Sequence, residues 1–117
     1  MRKLVRINVM TGRFIDIDTK KLNREAKELR DFIMQEIDPC KDTFDITGKV
    51  LPICEKAIRG DFTTSMDSDD LPLRYQVREG MLPNDFDILF ANFCTTISGT
   101  ALDIFDVVEI QGLPHTY

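Results

Sequence analysis

Asn84-Asp85-Phe86-Asp87-Ile88-Leu89-Phe90-Ala91-Asn92-Phe93-Cys94-Thr95-Thr96-Ile97, followed by Ser98-Gly99, is the stretch on which the fold turns. Phe86, Leu89, Phe90 and Phe93 recur at spacings of 3, 1 and 3, and Ile97 lies one turn further on. That is the apolar stripe of an amphipathic helix. Asn84 or Asp85 supplies its N-cap and Gly99 stops it. Three Phe side chains on one stripe carry a large apolar surface, so this is the central core helix and the other elements must cover it.

Moving toward the N-terminus, Leu22, Ala26, Leu29, Ile33 and Ile37 follow spacings of 4, 3, 4 and 4. They predict a second amphipathic helix, capped by Asp18 or Thr19, charged on its outer face and ended by Pro39. A shorter helix is predicted around Pro52 to Arg59, with Pro in its first turn and Gly60 just past its end. Leu51, Cys54, Ala57 and Ile58 form its inner stripe. Phe62 to Asp70 has the composition of a solvated loop and is expected to be the least ordered segment. In Leu71 to Gly80, Leu73, Tyr75 and Val77 alternate as in a strand, while Pro72 is equally suited to opening a short helix; the alternation favours extended structure.

The two ends read as strands. Leu4 to Val9 and Phe14 to Asp18 alternate on either side of Thr11-Gly12, the pattern of a β-hairpin. Ile104 to Ile110 is rich in β-branched residues, and Gln111-Gly112 lets Leu113 to Tyr117 return as its partner. The expected fold class is α+β: an antiparallel sheet built from the N- and C-terminal hairpins, with about three helices packed on one face. The 117 residues are enough for a single domain, 1–117, and too few for two.

A hydrophobic content of 43% and a charged content of 30% are those of a globular chain. Its longest apolar run falls far short of the ~20 residues that cross a bilayer, and its N-terminal residues alternate where a signal peptide would be continuously apolar. Cys40, Cys54 and Cys94 are odd in number and widely spaced, which indicates free thiols and a cytoplasmic location. Charge is divided by position. Residues 1–60 carry thirteen Lys and Arg against ten Asp and Glu, whereas 61–117 carry only Arg74 and Arg78 against ten acids. The halves are +3 and −8 within a net charge of −5, and a one-signed surface attracts the opposite sign.

No catalytic constellation emerges from the sequence. An EF-hand loop counted from Asp67 would need Gly at its sixth position and Glu at its twelfth, and the stretch offers neither. Asp85 and Asp87 are explained by the positive end of the helix they open, and His115, three residues from the end, is a poor platform for a nucleophilic triad. One His and three scattered Cys lack zinc-ligand spacing, and the isolated glycines form no phosphate loop. The basic residues at 20–30 alternate with acids as intrahelical ion pairs, and with a pI of 4.8 neither nucleic-acid binding nor a cofactor is expected.

Acidic surfaces can occupy basic clefts that otherwise hold phosphates, so the natural partner is a basic protein. The segments Leu71-Pro72-Leu73-Arg74-Tyr75 and Arg78-Glu79-Gly80-Met81-Leu82-Pro83, with Ile104 to Ile110, resemble small bacterial immunity proteins of contact-dependent growth inhibition and colicin-type systems. The resemblance implies a non-enzymatic inhibitor of a cognate, nuclease-type toxin. The contact residues would be Asp67, Asp69, Asp70, Glu79, Asp85 and Asp87. Two other classes stand beside it: a small enzyme using carboxylates and Cys40, and a regulatory subunit that forms a homodimer through an exposed edge strand.

Overall fold

The computed structural model describes the backbone of residues 4–8, 13–100 and 107–111, and the side chains of 15–100 apart from residue 68. Helix α1 spans Thr19–Glu36. Asp18 caps it by accepting the Lys21 N–H at 3.0 Å, which satisfies one of the amide donors that a helix start leaves without an internal partner. Leu22, Ala26, Leu29 and Ile33 are buried as their spacing requires.

The second helix starts earlier than its sequence suggests. α2 spans Ile46–Ile58, so Pro52 lies inside it and not in the first turn. Two carboxylates set the true start. Asp42 accepts the N–H groups of Ile46 and Thr47 at 2.7 and 2.8 Å, and Asp45 accepts that of Gly48 at 3.2 Å. The first internal bond, Lys49 N–H to the Asp45 carbonyl, follows at 2.9 Å, so every amide of the first turn is accounted for. Pro52 leaves the Gly48 carbonyl without a helical donor, and both residues are exposed, so water can serve instead.

Residues 71–80 form a short helix, α3 (Arg74–Arg78), where extended structure was expected. Leu71 and Leu73 are buried whereas Tyr75 is 57% exposed, so the alternating residues do not share a face. Leu73 turns the chain with φ +62°. The preceding segment, expected to be the least ordered, is tied down. Ser65 N–H donates to the Ile15 carbonyl at 2.6 Å and Met66 N–H to that of Ile97 at 2.8 Å, while Phe62 and Met66 pack against the core.

The central helix, α4, spans Asn84–Ile97. Phe86, Phe90, Phe93 and Ile97 are at most 1% exposed. Phe86 stacks on Phe90 at 5.4 Å between ring centroids and reaches Phe32 of α1 at 6.4 Å. Pro83 occupies the N-cap position and no side chain caps this helix, which leaves Asp85 and Asp87 of the first turn to meet its positive end. At the other end Gly99 has φ +83°, with Gly99 N–H bound to the Thr96 carbonyl and Thr100 N–H to that of Thr95, both at 3.1 Å. This is a Schellman stop, and it uses the left-handed backbone that glycine tolerates best.

Helix packs on helix. α1 lies against both α2 and α4, and their apolar stripes share one buried cluster with Leu71, Leu73 and Leu82. Two polar ties cross these contacts. The buried Thr96 hydroxyl donates to the Glu25 carboxylate, and Asn23 Nδ2 donates at 3.0 Å to the carbonyl of Ile58, the last residue of α2.

The architecture is therefore helical, and the α+β expectation of an antiparallel sheet carrying helices on one face is corrected. The helices bury their stripes in one another. Strand β1 (Leu4–Asn8) does pair antiparallel with β2, but β2 covers only Arg13–Phe14 and the strand expected over Phe14 to Asp18 does not continue past Phe14. β3 (Val107–Gln111), however, runs parallel to β1, from Leu4 opposite Val107 to Asn8 opposite Gln111. Parallel pairing needs a long crossover, which the helical body supplies. The return strand expected over Leu113 to Tyr117 lies outside the described residues.

Candidate functional site

Asp67, Asp69, Asp70, Glu79 and Asp85 are exposed and Asp87 is half-buried. The fold divides them. Met66 is bonded to Ile97 at the C-terminal end of α4, whereas Asp85 and Asp87 lie in its first turn. Twelve residues of helix separate Asp85 from Ile97, about 18 Å at 1.5 Å per residue. Asp67 thus starts from one end of α4 and Asp85 sits at the other. Within the 67–70 turn, Asp67 accepts the Asp69 N–H at 2.9 Å, so part of its capacity goes to shaping the loop.

The acids also differ in how they are balanced. Glu79 faces the Arg78 guanidinium at 3.8 Å, a loose and exposed pair of little energetic weight. Among the described residues no cation lies within 4.0 Å of Asp69, Asp70, Asp85 or Asp87.

A cleft of about 450 Å³ opens beside the second group. Its walls come from the end of α1, the connection into α2, and residues 81–83 ahead of α4. Ile37, Phe44, Met81 and Leu82 provide apolar surface, and Glu36 and Asp38 lie on its rim with Lys41. Met81 is 46% exposed. Asp42 also lines the cleft, but its carboxylate is committed to the start of α2. Partial burial would raise the Asp42 carboxyl, yet the donors from Thr47 and Ile46 outweigh it and hold the group below the ordinary carboxylate value.

Sequence reasoning missed this cleft because three segments distant in the chain build it. The local signal was Met81, an apolar residue between Gly80 and Pro83 that belongs to no periodic stripe.

The cysteines are all free, with Cys40 exposed, Cys54 buried and Cys94 half-buried. Burial pushes the Cys54 and Cys94 thiols up to about 12, which keeps both in the unreactive protonated form at neutral pH. Among the described residues no group of three or more His, Cys, Asp and Glu could hold a metal ion, and no helix is long and apolar enough to cross a membrane. His115 lies outside the described residues. Compared with family models, with curated proteins and with solved structures, the chain gives no match.

Proposed function

We propose that this chain is a non-enzymatic binding protein that recognises a basic protein partner through its acidic surface. Its specific form would be a cytoplasmic immunity protein that neutralises a cognate bacterial toxin of the nuclease type. The observation that supports this most is the set of carboxylates at Asp69, Asp70, Asp85 and Asp87, none of which has a cation within 4.0 Å among the described residues. Carboxylates with no cation of their own are available to the lysines and arginines of a partner, and complementary charge can raise association rates from about 10⁵–10⁶ to 10⁸ M⁻¹s⁻¹ or more at low salt. The 67–70 turn follows the Met66–Ile97 backbone bond, and Asp85 and Asp87 belong to the central helix.

The test is to express this chain together with the product of the gene immediately upstream. The proposal expects that product to be toxic alone, to lose its toxicity when both are made, and to co-purify with this chain. A neighbour that is harmless alone, or one whose toxicity persists in the presence of this chain, contradicts it.

A further inference from the structure

We infer that the cleft between the end of α1 and residues 81–83 is the anchoring pocket of the interface, and that it takes an apolar side chain of the partner flanked by Lys or Arg. The inference rests on the basic-partner reading and adds a place and a side-chain chemistry to it. The volume of about 450 Å³ lies in the range of pockets that enclose a ligand group, and it is larger than a single apolar side chain needs. Phe44, Ile37 and Leu82 give the pocket its apolar floor, and Met81 offers a wall that is still half in water. Covering that wall is favourable.

The charge around the opening selects the occupant. Glu36 and Asp38 stand on the rim, Asp38 with one oxygen already accepting the Cys40 N–H at 2.9 Å, and among the described residues neither has a cation within 4.0 Å. Lys41 is the one basic group of the lining. Glu79 lies two residues before Met81, and Asp85 and Asp87 follow Pro83 by two and four residues. Along the chain the 81–83 wall is flanked by three of the acids proposed for contact, none of which lines the cleft itself, whereas the 67–70 turn follows Met66 at the opposite end of α4. An apolar side chain beside a lysine or arginine matches floor and rim together.

The experiment is an amide-resolved NMR titration of the full chain at low salt with three blocked pentapeptides. The first is Lys-Lys-Leu-Lys-Lys, the second has Ser in place of Leu, and the third has Glu in place of Lys. The expected result is a set of shifts confined to residues 36–46 and 81–87 with the first peptide. Binding should weaken about tenfold when Leu becomes Ser, and by a similar factor in the exposed-site variant Met81→Ser. Glu36→Lys should weaken it further, and the acidic peptide should give no shifts. The unliganded spectra of both variants verify that they are folded.

Several results overturn the inference. Shifts centred on 67–70, or equal responses to the Leu and Ser peptides, remove the cleft while leaving the basic-partner reading in place. No response to either basic peptide removes both. Cleft shifts that grow with protein concentration alone make a second copy of this chain the occupant, and equal binding of the acidic peptide removes the charge argument.

Discussion

Asp42 shows how a residue outside a helix, together with the Asp45 cap, sets a boundary that composition hides. Its carboxylate holds two amides at the start of α2 and lies below its ordinary pKa, so its contribution is complete above about pH 4, the unfolded-state value, and fades as pH falls through the lower folded-state value. Asp42→Ala is expected to cost about 1–2 kcal/mol at pH 7 by loss of the cap. In urea melts the gap between the variant and the parent should be constant from pH 6 to 8 and narrow below pH 4; a gap independent of pH contradicts the capping role. The thiols give a second prediction at this scale. With Cys54 and Cys94 pushed up to about 12, an alkylating reagent at pH 7.5 should label one thiol per native chain, Cys40, and three in denaturant. Rapid native labelling of two or more would show that the α2 and α4 thiols are not sequestered. That Asp67 and Asp69 are exposed could be read from their hydrophilic neighbours, whereas Asp87, between Phe86 and Ile88, is half-buried. Which cations lie near the acids could not be read, because ion pairing depends on the positions of side chains brought together only by folding.

At the scale of elements, α1 and α4 could be read from sequence because each has a long apolar stripe and a definite end. Asp18 begins one and Gly99 stops the other. α2 was only half legible: Pro52 resembles a first-turn proline, while the real start depends on Asp45 in a left-handed conformation at φ +56°. α3 was misread because alternation of Leu73, Tyr75 and Val77 mimics a strand, although tertiary burial sends Leu73 inward and leaves Tyr75 outside. The parallel pairing of β1 with β3 has no local signature at all, since it joins the two ends of the chain. Two stability predictions follow the packing. Phe90→Ala, in a fully buried site stacked on Phe86, should cost about 3–5 kcal/mol in chemical denaturation, and a loss under 1 kcal/mol would place the core elsewhere. Gly99→Ala should cost about 1–2 kcal/mol because the stop of α4 needs φ +83°. An unchanged denaturation midpoint would argue against that stop.

For the whole molecule, the six acids proposed for contact separate in three dimensions into two places. One is the 67–70 turn, held at the C-terminal end of α4. The other is the first turn of α4 with Glu79 and the cleft beside it. Sequence alone joined them into one surface, because nearness along the chain stood in for nearness in space. Recognition through the acidic surface is tested by the association rate with the upstream-gene product, followed across ionic strength for the parent chain and two charge-neutralised variants. One variant carries Asp67→Asn, Asp69→Asn and Asp70→Asn; the other carries Glu79→Gln, Asp85→Asn and Asp87→Asn. The parent should associate fastest and with the steepest salt dependence, both variants should be slower and flatter, and the second should lose more. Equal rates and equal salt slopes for all three chains would contradict recognition through the acidic surface.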